Sequence, residues 1–144
     1  MRRELIQQLS PECVFSDPAT QEQLEESERV LQIELPDELR ILLLETNGVY
    51  DGHSYMDLVW TCAEIVRFNL EFRSHPLVID SHMPFDNLLF FSHAGNGDMF
   101  GLAIILGKVT NNVFAWNHED DSRVCVARSL RLWLEGWLSG ELKI

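Results

Sequence analysis

The sequence predicts an α+β domain with a mainly antiparallel sheet, helices packed on one face of it and helices at both chain ends. Three observations carry this. Apolar residues recur at helical spacing through the first half of the chain and again at its end. Between Asn87 and Val126, short segments rich in Phe, Ile, Val and Leu alternate with clusters of Gly, Asn and Asp. The length of 144 residues suits a single domain over 1–144, large enough to bury a core without disulfides or metals. Its 46% hydrophobic and 24% charged residues exclude disorder, collagen and coiled coil as descriptions of the whole chain.

Each element has a local reason. Leu5, Ile6 and Leu9 predict a short N-terminal helix. Asp17-Pro18 reads as an N-cap followed by a first-turn proline, ahead of a Glu-rich helix from Gln21 to Gln32 with Leu24 and Leu31 on one face. Leu35-Pro36 opens another helix, whose buried stripe is Leu39, Leu42 and Leu43. Ile41 and Leu44 lie off that stripe and predict cover on a second side. Asn47-Gly48 ends it, since both residues tolerate the left-handed conformation of helix ends. Met56 to Trp60 reads as a strand. Thr61 and Glu64 form a capping box for a helix bearing Ile65, Phe68 and Phe72 on one face, and His75-Pro76 breaks it.

Strands are then predicted at Asn87–Ser92, Met99–Leu106, Val113–Trp116 and Arg123–Val126. Gly95-Asn96-Gly97-Asp98 is the clearest turn between them. Ser129 caps a last helix with Leu130, Trp133, Leu134, Trp137 and Leu138 on one face.

Charge restricts the partners. Eleven Lys and Arg against 23 Asp and Glu leave a net charge of −12, and Lys108 and Lys143 are the only lysines. Such a field repels phosphate backbones and anionic lipids, so neither nucleic acid nor membrane is expected as a partner. It either favours fast association with a basic partner or simply keeps the protein soluble. Cys13, Cys62 and Cys125 are odd in number and widely spaced, as free thiols of a reducing compartment would be. With no signal peptide or long apolar run visible, the expected location is cytoplasmic.

The motifs that usually carry chemistry are incomplete. Gly95, Gly97 and Gly101 are spaced G-x-G-x-x-x-G and precede a strand, whereas a phosphate loop opens a helix. In His118-Glu119-Asp120-Asp121, Ser122 sits where a zinc-protease helix needs its second histidine, and the alternating ligands of a calcium loop are missing. The cluster reads as a solvated acidic loop. His53, His75, His82 and His93 are scattered, and no G-x-S-x-G is present. No catalytic residue, metal or cofactor is therefore expected. Trp133 and Trp137 belong to a helical core stripe. Trp60 and Trp116 end strands beside acidic loops, and fit either half-exposed interface anchors or tryptophans at the edge of the core.

Three co-linear segments resemble the SUKH superfamily, which groups a fungal regulator of cell-wall glucan synthesis with bacterial immunity proteins of polymorphic toxin systems. The first runs from Glu28 through Leu35-Pro36, Leu39 and Leu43 to Asn47-Gly48. The second is Phe90-Phe91 followed by Gly95-Asn96-Gly97-Asp98 and Phe100. The third is Val113 to Trp116, then His118-Glu119-Asp120 and the Ser129–Leu138 helix. Together they span roughly residues 20 to 139.

The resemblance implies helices around a mainly antiparallel sheet, no catalytic residues and a protein-binding role. That role is often to neutralise a cognate toxin, many of which are nucleases or other basic effectors. On this basis the expected contacts are Asp98, Trp116, Glu119, Asp120 and Asp121, gathered at one end of the sheet if the hairpin and the acidic turn are neighbours. Two other readings share the fold: a regulatory or scaffold module that binds a cellular protein, and a small metal-dependent hydrolase using carboxylates or His118. Exposed strand edges, with Tyr50 and Tyr55, would let two copies pair as a homodimer.

Overall fold

Two antiparallel sheets and five helices make up the described part of the chain, residues 2–53, 55–75 and 83–144 of a computed structural model. In chain order they are α1 (Arg2–Leu9), β1 (Cys13–Phe15), α2 (Gln21–Leu31), α3 (Asp37–Glu45), β2 (Val49–Asp51) and β3 (Met56–Val59). There follow α4 (Cys62–Ser74), β4 (Leu88–His93), β5 (Met99–Ile105), β6 (Lys108–Trp116), β7 (Arg123–Ala127) and α5 (Leu130–Ser139). The α+β class is as expected, with helices at both ends. Among the described residues no helix is long and apolar enough to cross a membrane.

The small sheet is ordered β1-β2-β3 and the larger one β4-β5-β6-β7. They meet where β3 ends against β4. The Trp60 N–H donates to the Phe91 carbonyl at 2.9 Å, and the Ser92 hydroxyl donates to the Leu58 carbonyl at 2.5 Å. Helix α4 lies along β4, α5 lies against β6 and β7, and α1 packs on α3 and α5. One core joins them. Leu39, Leu42 and Leu43 of α3 are fully buried together with Phe91, Phe100 and Trp133.

Several local readings are met in detail. Thr61 and Glu64 form the reciprocal capping box of α4, and the Ser129 hydroxyl accepts the Leu132 N–H to start α5. The Glu28 of the SUKH-like signature has a structural task. Its carboxylate accepts the Leu35 N–H at 2.8 Å and pairs with Arg40, tying the end of α2 to the start of α3.

Other readings are corrected. The cap of α2 is Thr20, not Asp17: Thr20 and Gln23 form the capping box, while the Asp17 carbonyl accepts the Asn47 N–H at 2.9 Å. Residues 17–19 thus run alongside the end of α3 instead of starting a helix. Ile41 and Leu44 are exposed, so α3 is covered on its Leu39/Leu42/Leu43 stripe and not on a second side. Strand β6 begins at Lys108, five residues before the expected Val113. Strands β1 and β2 were not foreseen, because three residues are too few to display an alternation. His82 and Pro76 lie outside the described residues.

Candidate partner-binding site

The five residues expected to meet a partner do come together, at one end of the larger sheet. Their supports are the β4–β5 turn, Gly95 to Asp98, and the β6–β7 turn, Asn117 to Ser122. In the first, Gly95 and Gly97 take positive φ angles of 97° and 100°, and the Ala94 N–H closes onto the Asp98 carbonyl at 2.9 Å. A Cβ at Gly97 would stand 2.9 Å from the His118 ring, and one at Gly95 2.9 Å from the Met56 sulfur. The hairpin tip is clamped between those two side chains.

Asp98 links the two turns. Its Oδ1 accepts the His118 backbone N–H at 3.0 Å and lies 2.6 Å from the His118 ring Nδ1, while its own N–H donates to the Asn96 Oδ1 at 3.0 Å. Burial pushes the Asp98 carboxyl up, but the hydrogen bonds from His118 and Asn96 and the His118 charge together hold it below the usual carboxylate range. Asp121 behaves likewise. Burial opposes its charge, yet the Met83 N–H at 2.9 Å, the Trp116 indole N–H at 2.7 Å and Arg123 at 3.0 Å hold it below that range.

Both carboxylates therefore couple folding to pH with the same sign. Their folded pKa values are depressed, so the stability they contribute is present above the unfolded value of about 3.9 and is lost as pH falls through the folded values. Asp98→Asn should be less stable than the wild type at neutral pH and lose less on acidification below about pH 4. Thermal unfolding across that range checks it; an unaltered acid slope would remove Asp98 from the account.

Glu119 and Asp120 differ from the other acids. Both are exposed at the tip of the β6–β7 turn, yet the backbone beneath them is tied down. The Glu119 N–H donates to the Asn117 Oδ1 at 2.8 Å, the Ser122 N–H donates to the Asp120 Oδ1 at 2.9 Å, and the Asp121 N–H donates to the Asn117 carbonyl at 2.9 Å. The bonds from Ser122 hold the Asp120 carboxyl below its ordinary range, so it stays charged.

Trp60 and Trp116 are not half-exposed anchors but take their other reading, core tryptophans: they retain 3% and 6% of their surface. The Trp116 ring packs on Phe85 and Phe90, and its one polar atom finds Asp121. Trp60 packs on Phe68. Nor is the acidic loop wholly solvated, since Asp121 turns inward. A residue that sequence reasoning passed over explains why. Arg123 donates to the Met83 and Pro84 carbonyls, the Asn87 Oδ1 and Asp121, with its guanidinium 4.7 Å from the centre of the Phe85 ring. No local pattern marks a residue whose partners lie nearly forty positions away.

The arrangement presents two exposed acids over a braced base, of which the Asp120 carboxylate is held by the Ser122 N–H. Among the described residues, no three His, Cys, Asp or Glu side chains form a group that could hold a metal ion. Cys13 and Cys62 are free and buried, and Cys125 is free and exposed. Residues 21–134 match a SUKH family model described as SMI1-KNR4 cell-wall. No curated protein matches the chain.

Proposed function

The chain belongs to the SMI1-KNR4 cell-wall family of the SUKH superfamily, and from that premise we propose that it is a non-catalytic binding module acting as an immunity protein. It neutralises a cognate toxin by laying an acidic surface on the toxin's basic site. The observation that carries this reading is the placement of Glu119 and Asp120, exposed on a turn braced by the Asp98–His118 and Asp121–Arg123 pairs. The Asp120 carboxylate, already held by the Ser122 N–H, loses little side-chain freedom on binding, and a net charge of −12 steers a basic partner towards the turn. A nuclease, whose active site attracts phosphate, is the kind of toxin such a surface fits.

The test begins with capture from native lysate, washed at low and then high salt. A basic protein released by salt, toxic when expressed alone and harmless when co-expressed, is the expected partner. Glu119→Gln with Asp120→Asn should slow its association about tenfold at low salt and change its dissociation much less. An unchanged on-rate would overturn the assignment of this turn.

The family's cell-wall description favours a second reading, a regulatory module binding a cellular protein through the same surface. A captured partner that is harmless when expressed alone distinguishes it.

A further inference from the structure

The larger sheet has two edges, and the fold treats them differently. Along β4 the backbone groups are taken up one by one. Arg73 donates to the Leu88 carbonyl at 3.2 Å, Asn69 serves both the N–H and the carbonyl of Phe90, and the Trp60 N–H reaches the Phe91 carbonyl. The other edge is β7, which pairs with β6 alone. Among the described residues its backbone has one further contact, the Cys125 thiol 3.6 Å from the Ala127 carbonyl. An open edge offers its N–H and C=O groups to any strand that can lie beside it.

Edges are usually guarded by lysine, proline or an outward charge. Strand β7, Arg123-Val124-Cys125-Val126-Ala127, has none of these, because Arg123, its one charge, is turned inward onto Asp121 and Phe85. Its register with β6 is regular from Arg123 to Cys125 and shifts only beyond. Both faces of that stretch are uncovered. Val124, 59% exposed, stands across from Ala115 and lines a shallow cleft with Val126 and Ile144, while the exposed Cys125 stands across from Phe114. The small sheet offers less. Its free edge, β1, is three residues long, and Tyr50 lies in β2, the middle strand.

The charges at the two ends of β7 indicate what fits. Its start adjoins the Glu119/Asp120 turn, and just past its end stands Arg128, exposed and with no ion pair among the described residues. A second β7 laid antiparallel brings each Arg128 to the acidic end of the other strand, whereas a parallel copy sets Arg128 against Arg128. One two-fold axis makes the match at both ends at once.

We propose that two copies of the chain pair antiparallel through β7, joining their four-stranded sheets into one continuous sheet. Backbone hydrogen bonds fix the pairing, Val124 and Cys125 become covered, and each Arg128 stands beside the other copy's Glu119/Asp120 turn. A second copy and a basic partner thus draw on the same acids. Such a dimer does not depend on the reading of the protein as an immunity module. The charge of −12 on each copy opposes the approach, and the shared strand is only about 17 Å long, so the dissociation constant should be about 10 μM.

Sedimentation equilibrium of the full chain provides the test. At about 100 μM the mass should be that of two chains, and at about 1 μM mostly that of one. Val124→Lys places a guarding charge on the edge and should leave a monomer at both concentrations; the position is exposed, and an unchanged melting curve establishes that the variant is folded. Arg128→Glu should weaken pairing about tenfold. A short bifunctional maleimide locates the contact: it should join two copies through Cys125, since Cys13 and Cys62 are buried, and Cys125→Ser should stay dimeric but escape the link. A monomer at about 100 μM, a dimer indifferent to Val124→Lys, or a dimer that the maleimide does not join would each overturn the proposal.

Discussion

Asn69→Leu should destabilise the protein by about 3–5 kcal/mol, since it leaves two buried backbone groups without partners. Asn69 of α4 is 1% exposed. Its Nδ2 donates to the Phe90 carbonyl at 2.8 Å and to the Ile65 carbonyl at 2.7 Å, and its Oδ1 accepts the Phe90 N–H at 2.9 Å. The side chain therefore acts as a short strand partner for β4, where the register with β5 shifts between Phe90 and Ser92. Leucine has a similar size and fits an apolar site, so the loss reports the hydrogen bonds and not the volume. Each unsatisfied buried group costs about 1–3 kcal/mol. The melting temperature should fall by about 10–17 °C. A variant as stable as the wild type would mean that Asn69 does not hold α4 to the sheet.

Trp133→Ala should cost about 3–5 kcal/mol, the usual range for removing a large aromatic from a core. Trp133 is fully buried, with Phe91 and Phe100 ring centres at 4.9 and 5.2 Å. It joins α5 to the centre of the larger sheet. Its Nε1 is buried and has no hydrogen-bond partner among the described residues. Trp133→Phe removes that unpaired donor while keeping a ring against both neighbours, so its loss should be well under half that of alanine. Urea unfolding of the two variants decides between them. Phenylalanine as damaging as alanine would show that the indole N–H is satisfied after all.

How legible each part was depended on the distance over which its cause acts. The capping box at Thr61 and Glu64, the Ser129 cap and the Leu130–Leu138 stripe are set within a few residues, and each is where the sequence predicts it. The Gly95–Asp98 turn was equally clear, since left-handed backbone needs residues that tolerate it. Thr20 and Gln23 are also a local pair, yet the proline after Asp17 masked them. Strand β1 pairs with β2 across the α2–α3 segment and β2 joins β3 through a short turn, and with three residues apiece β1 and β2 left no local signature.

The candidate site divides in the same way. That the β6–β7 turn is acidic was plain from His118 to Asp121, and the order of motifs from Glu28 to Leu138 was enough to point to the family. Which acids face outward was not. Asp98 and Asp121 turn in because His118, Met83, Trp116 and Arg123 supply the hydrogen bonds that make a buried charge tolerable, leaving Glu119 and Asp120 on the surface. Sequence alone determined the α+β class, the sign of the charge and the positions of the turns, because those follow from composition and from neighbours along the chain. The tertiary structure decided which tryptophans are buried and which carboxylates face outward, because each depends on partners brought together only by folding.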